Sequence, residues 1–219
     1  MLMEDLDRAN QTFVDSLVSG GVLKSRRIIE AFRKLPRHLF VRGDLVSLAY
    51  YDAPIPLTGN STVSQPSTVA AMLELIEPKE GDRFLEIGTG SGWNAALISY
   101  CVGRKGSVVT LEIDGNLCRL ANENLERFGI DNVRVICTDG ADGYADCSPY
   151  SKIIYTVATD RIPDSVIGQL EVKGLLVAPV GADFIQTMTL VKKLGKNRIE
   201  SKSFGGYQFV HMMHRKGRT

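Results

Sequence analysis

The chain has 219 residues, 44% of them hydrophobic and 23% charged, a balance that fits one α/β domain or one domain with a small appendage. A formal net charge of +1 lacks the electrostatic footprint of a nucleic-acid binder or an anionic-membrane binder. No stretch approaches the ~18 apolar residues of a membrane-spanning helix, and the acidic start MLMEDLD is unlike a signal peptide, so a cytoplasmic setting is expected.

In chain order, Leu6, Ala9, Phe13 and Leu17 recur at helical spacing over residues 4–18. Gly20-Gly21 ends that helix, and a second is expected after Ser25, with Ile28, Ala31, Phe32 and Leu35 on one face. Residues 36–56, LPRHLFV through AYYDAPIP, sustain no period and read as loop with short helical turns. His38 there is expected to be structural. Val69, Met72, Leu73 and Ile76 then mark a third helix, with Pro66 near its start, where a missing N–H is tolerated. The residues support two roles for Ser64 equally: a helix-capping hydroxyl, or part of an anion site formed by Thr62, Ser64 and the free amides of the helix end.

Residues 83–97, RFLEIGTGSGWNAAL, are the stretch the chain is organised around. Phe84, Leu85 and Ile87 form a buried strand, Gly88, Gly90 and Gly92 a turn, and Trp93 onward a helix start, which is half of a nucleotide-binding βαβ unit. The pattern is G-x-G-x-G, with Thr89 and Ser91 between the glycines, not the G-x-G-x-x-G of dinucleotide sites. Glu86, two positions before the first glycine, would repel a pyrophosphate and suits an ammonium group, such as the amino-acid end of S-adenosylmethionine. Glu112 closes the next apolar run, where a βαβ unit places a carboxylate on ribose hydroxyls.

A helix is expected over residues 114–128 and a strand over 133–137, ending in Thr138-Asp139-Gly140. Asp139 there could accept from an adenine amino group, and Gly140 would let the backbone come close. Strands follow at 152–157 and 175–180, with a short helix from Pro163 to Leu170 between them. The tail reads as antiparallel strands near 186–194, 198–204 and 207–213, followed by a short basic end with His214, Arg215, Lys216 and Arg218. Cys101, Cys118, Cys137 and Cys147 form no C-x-x-C pair and have no histidine at ligand spacing. No metal is expected, and the first three are read as small core residues.

The segments LPRHLFV, AYYDAPIPL, TVSQPSTVAAML, FLEIGTGSGWNAAL and GLLVAPVG closely resemble the protein-L-isoaspartate O-methyltransferases, from about Leu35 to Met212. The T-V-S-Q-P and P-R-H-L-F-V segments carry most of the specificity. The resemblance implies the class I methyltransferase fold: an α/β, doubly wound, mostly parallel seven-stranded Rossmann-like sheet with an antiparallel C-terminal edge. One domain over residues 1–219 is expected, with helices and an acceptor-binding segment over 1–80 and the cofactor-binding core over 81–219.

The resemblance also implies S-adenosylmethionine as methyl donor and an L-isoaspartyl carboxylate of a damaged protein or peptide as acceptor. It places Ser64, with Thr62, in the active site, and Val63 and Gln65 beside them. Glu86, Gly88, Thr89, Gly90, Ser91, Gly92, Glu112, Asp139 and Gly140 fall on cofactor positions.

This chain departs from the family pattern at Ala158-Thr159-Asp160-Arg161 and at Phe209-Val210-His211-Met212, both expected near the acceptor pocket. Thr159, Asp160 and His211 are therefore candidate pocket residues. The leading expectation is a carboxyl methyltransferase that starts repair of isoaspartyl residues, acting as a monomer without nucleic acid or membrane. The alternatives are a carboxyl methyltransferase with another peptide acceptor and a non-catalytic S-adenosylmethionine-binding module.

Overall fold

The computed structural model describes residues 3–196 and 198–214, so Arg215, Lys216 and Arg218 lie outside the described residues. Helices α1 (Met3–Ser19) and α2 (Arg26–Lys34) form where apolar residues recur at helical spacing, and α2 buries Ile28, Ala31 and Phe32. Beyond Leu35 and Pro36, short 3-10 turns over Arg37–Phe40 and Gly43–Leu48 carry the chain to a small hairpin. There β1 (Ile55–Pro56) pairs antiparallel with β2 (Thr62–Val63). Helix α3 (Pro66–Ile76) follows, with its proline in the first turn.

Strands and helices then alternate: β3 (Arg83–Ile87), α4 (Trp93–Val102), β4 (Ser107–Glu112), α5 (Gly115–Arg127), β5 (Val133–Cys137), β6 (Tyr150–Tyr155), α6 (Asp164–Gln169) and β7 (Leu170–Val180). β8 (Gln186–Gly195) and β9 (Arg198–Tyr207) end the series. The seven-stranded sheet has the order β5-β4-β3-β6-β7-β8-β9. Pairings from β5 through to β7 are parallel, while β7–β8 and β8–β9 are antiparallel. This is the expected doubly wound sheet with an antiparallel edge. Strand order reverses at β3, so the crevice beyond the carboxyl ends of β3 and its neighbours is where such a sheet holds a ligand.

The central strands are apolar on both faces, as covered parallel strands must be. Phe84, Val108, Ile154 and Val177 join one core, packed with α2, α3 and α4. Leu85, Val109, Ile153 and Leu176, one residue along in β3 and β4 and one residue back in β6 and β7, join the other. By the same alternation Glu86 and Thr110 share the face of Phe84 and Val108, beneath α4.

The tail and the cysteines require corrections. Residues 208–213 form no strand: β9 stops at Tyr207, and among the described residues beyond it His211 bridges to Ala158. Ala158 N–H donates to the Val210 carbonyl at 2.8 Å, and Met212 N–H to the Ala158 carbonyl at 2.9 Å. The segment thus leaves the sheet edge and crosses the strand ends. Cys101 and Cys118 are buried as expected, but Cys137 is exposed, because β5 is an edge strand whose end nothing covers. Cys137 is joined to Cys118 by a disulfide, Cα to Cα 6.0 Å, tying β5 to the first turns of α5.

Candidate active site

The turn after β3 exists because its backbone needs positive φ. Gly88, Gly90 and Gly92 have φ of +101°, +55° and +82°, a region in which only glycine sits without strain. A Cβ at Gly88 would also stand 2.5 Å from Thr156 Oγ1 and 2.9 Å from Val157 Cγ1. Thr89 and Ser91 are buried, and their hydroxyls support the turn. Thr89 Oγ1 pairs with Thr110 Oγ1 at 2.7 Å, and Ser91 Oγ accepts from Trp93 N–H at 3.4 Å.

Glu86 is not placed as expected. It is fully buried behind the cavity wall, with Oε1 accepting from Asn94 Nδ2 at 2.7 Å and Oε2 from Thr110 Oγ1 at 2.6 Å. Direct contact with a ligand ammonium is therefore corrected to an indirect role, in which Glu86 braces the start of α4 beneath the turn. Burial pushes its carboxyl up to about 7 against the pull of those two hydrogen bonds.

The raised value has a definite sign. Folded protein holds this proton more tightly than unfolded chain, so its stabilisation is complete below about 4.5 and is lost as pH rises through about 7. Urea unfolding from pH 5 to 8 should show the ligand-free protein losing on the order of 2–3 kcal/mol relative to Glu86→Gln, whose amide does not titrate. Parallel curves for the two proteins would contradict this.

Glu112 ends β4 as expected. Its Oε2 accepts from Gly90 N–H at 2.9 Å, and its Oε1 from Ile113 N–H at 2.9 Å and Asp114 N–H at 3.1 Å. The carboxylate thereby fixes the glycine turn against the strand end while lining the cavity.

Thr138 and Gly140 line it too, and a Cβ at Gly140 would meet Ile87 Cγ2 at 2.8 Å. Asp139, between them, turns aside: Oδ1 accepts from Ala141 N–H at 3.0 Å and lies 3.7 Å from His214 Nδ1. Asp139 thus stands beside the cavity, between two residues that line it. Gly92 also stands back from the cavity, at the start of α4, where a Cβ would meet Ala121 Cβ at 3.3 Å.

Thr62, Val63, Ser64 and Gln65, the expected acceptor segment, also line the cavity as a continuous stretch from β2 into α3, and a Cβ at Gly90 would lie 3.7 Å from the Thr62 carbonyl. Ser64 is not the helix cap. Asp52, from the loop before β1, takes that role: its Oδ1 accepts from Ser67 N–H at 2.9 Å and its Oδ2 from Gln65 Nε2 at 3.1 Å. A carboxylate already on the helix end corrects the expectation of an anion site built on free amides. The hydroxyls of Thr62 and Ser64 remain among the polar groups of this wall, with those of Ser61, Ser67 and Thr68. Of the other expected pocket residues, His211 lines the cavity, with Nε2 3.4 Å from Gln186 Nε2. Thr159 and Asp160 lie outside it, since Thr159 Oγ1 is turned back onto the Arg161 carbonyl at 2.7 Å.

The cavity holds about 750 Å³, within the usual range for a cofactor together with part of a second substrate. Thr156, Phe184, Tyr207, Gln208 and Met213 contribute to it without having been expected there, while Phe209-Val210-His211-Met212 line it as expected for a stretch near the pocket. These reach the cavity through contacts far apart in sequence. The steric need for glycine at Gly88 and Gly140, with a bidentate acceptor at Glu112, fits a nucleoside whose ribose hydroxyls meet the carboxylate.

Residues 8–217 match the family described as protein-L-isoaspartate(D-aspartate) O-methyltransferase. The chain belongs to that family. It is 42% identical over 191 residues to the protein-L-isoaspartate O-methyltransferase of Methanospirillum hungatei, covering 87% of each chain. It is 38% identical over 211 residues to the enzyme of that name from Methanopyrus kandleri, covering 96% of this chain and 93% of that one. A solved protein-L-isoaspartate O-methyltransferase superposes with a TM-score of 0.86 at 33% identity, over 95% of this chain and 67% of that chain. As a member of the family, the chain is a methyltransferase that uses S-adenosylmethionine, and Gly88, Thr89, Gly90, Ser91, Glu112 and Gly140 of the expected cofactor residues line the cavity.

Proposed function

We propose that this chain methylates the free carboxylate of L-isoaspartyl residues in damaged proteins or peptides, and that Thr62 and Ser64 orient that carboxylate. The observation that carries the reading is one cavity lined both by the glycine turn with Glu112 and by the Thr62–Gln65 segment. S-adenosylmethionine supplies an electrophilic methyl on sulfur when bound. An acceptor carboxylate with an ordinary pKa near ~4 is ionised at neutral pH, so the residues around it have no proton to remove. Their task is to hold the oxygen in line with the methyl and exclude water, which can contribute up to roughly 7–11 kcal/mol. As the O–CH3 bond forms and the S–CH3 bond breaks, the acceptor becomes a methyl ester and the sulfonium becomes neutral S-adenosylhomocysteine. Neutral hydroxyls suit this better than a lysine, because a cation would hold the carboxylate too tightly for it to attack.

The ester is expected to close to a succinimide without further catalysis, which starts the repair. We place the enzyme in the cytoplasm as a monomer acting on proteins or peptides and not on nucleic acid. No helix among the described residues is long and apolar enough to cross a membrane, and the near-neutral net charge supports the choice of acceptor. In a reducing compartment Cys118 and Cys137 would stand as a dithiol.

The test is methyl transfer from labelled S-adenosylmethionine to matched L-isoaspartyl and L-aspartyl peptides, with only the former labelled. Labelling of neither, with the cofactor still bound, would point to another carboxylate acceptor selected by His211. Ser64→Ala should lower kcat/KM for the peptide by about 10–100-fold while cofactor affinity changes little. Equal loss of both, or of neither, would remove Ser64 from the acceptor side.

A further inference from the structure

Arg37 is a buried cation that the reaction does not use. It is 2% exposed, and its guanidinium meets backbone oxygens in place of an acid. Nη1 donates to the carbonyls of Ala49 at 3.1 Å and Tyr51 at 3.2 Å. Nη2 donates to those of Ala53 at 2.8 Å, Val63 at 2.9 Å and Ser64 at 2.9 Å. The carbonyls come from two separate segments. One carries Asp52, which caps α3, and the other is the backbone of the acceptor wall itself.

The same side chain also faces the cofactor wall. Arg37 Cζ stands 5.7 Å from the centroid of the Trp93 ring, and Trp93 Nε1 donates to the Leu35 carbonyl at 3.0 Å. Trp93 opens α4 directly after the glycine turn and lines the cavity. The Leu35-Pro36-Arg37 stretch therefore grips the acceptor segment on one side and the start of α4 on the other.

We infer that Arg37 is a positioning residue, which fixes the spacing between the Thr62–Ser64 hydroxyls and the glycine turn. This rests on the reading that those hydroxyls hold the acceptor carboxylate. The four Nη hydrogens serve carbonyls arriving from several directions, with Nη2 sharing its two among three of them, while Nε–H has no partner among the described residues; an ammonium has three donors on one atom. Arg37→Lys keeps the charge and surrenders at least two of the five hydrogen bonds, so it loosens the wall without leaving an empty cavity.

The experiment compares Arg37→Lys and Ser64→Ala with Lys193→Gln. Lys193 is likewise buried and donates to the carbonyls of Ile167, Gly168 and Leu170, none of which lines the cavity. It controls for loss of stability alone. Arg37→Lys should reduce kcat/KM for an isoaspartyl peptide by about 100-fold, the scale of a misplacement near 1 Å, with affinity for S-adenosylhomocysteine within about threefold. Emission from Trp93, the chain's one tryptophan, should shift in Arg37→Lys and stay unchanged in Lys193→Gln. Lys193→Gln should unfold at a lower temperature with peptide kinetics unchanged.

The positioning role is overturned if Arg37→Lys keeps peptide kcat/KM within about threefold while Ser64→Ala is impaired. It is also overturned if cofactor affinity falls as far as peptide turnover, or if the variant fails to fold even with saturating cofactor. Unimpaired turnover in both Ser64→Ala and Arg37→Lys would instead remove the acceptor-side reading beneath it.

Discussion

Gly88→Ala is expected to weaken binding of S-adenosylhomocysteine by at least about 100-fold while the chain still folds. Two effects act together at this position. The φ of +101° lies in a region an alanine adopts only with strain, and the new Cβ would stand 2.5 Å from Thr156 Oγ1. Thr156 has little freedom to retreat, because its hydroxyl donates to the carbonyls of Ile87 and Gly88. The turn must therefore shift, and it is the wall against which the cofactor lies.

Isothermal titration with S-adenosylhomocysteine measures the loss directly. Gly115→Ala is the matched control, since a Cβ there meets nothing within 4 Å and the backbone is compatible with alanine. Binding by Gly88→Ala within about threefold of the unaltered chain would mean that the turn is not the cofactor wall.

Glu112→Gln is expected to have a comparable effect by a different route. The carboxylate accepts from three backbone N–H groups, those of Gly90, Ile113 and Asp114. A glutamine offers one acceptor oxygen, so its NH2 must face either the Gly90 donor or the Ile113–Asp114 pair. Losing charge-assisted hydrogen bonds of about 1.5–3 kcal/mol each, and setting donor against donor, should raise the cofactor Kd by about 100-fold. The split between parameters is diagnostic. The KM for S-adenosylmethionine should rise steeply, while kcat at saturation falls much less, because the proposed function gives Glu112 to the donor and Thr62 and Ser64 to the acceptor. A fall confined to kcat would place Glu112 in the chemistry and not in binding.

What the sequence revealed about this site depended on how local each feature is. The glycine turn and Glu112 were legible because strand, turn and acid lie within one βαβ unit, where spacing dictates geometry. The sheet was legible because apolar runs alternate with helical patterns, and its antiparallel edge because short turns replace helices after β7. Asp52 as the cap of α3 was hidden, since the residues before Pro66 offered nearer candidates and the true cap arrives from another loop. Glu86 was read as facing the ligand because its position in the run looked terminal, yet the period of the strand turns it beneath α4. Cys137 looked like core because its neighbours are apolar, and only sheet order reveals that β5 is an edge. The segment after Tyr207 alternates well enough for a strand, but its backbone groups at Val210 and Met212 pair with Ala158 beyond β6 in place of the β9 edge.

The two walls of the cavity come from different stretches of the chain, and this bears on how such an enzyme can change over generations. In the function proposed above, residues around the glycine turn, Glu112 and Gly140 hold the methyl donor and Thr62–Gln65 the acceptor, and all of them line one cavity with the segment through His211. A substitution in the second group can alter what is methylated while the donor stays in place. Selection can therefore revise the clientele of this fold without rebuilding its supply of methyl groups.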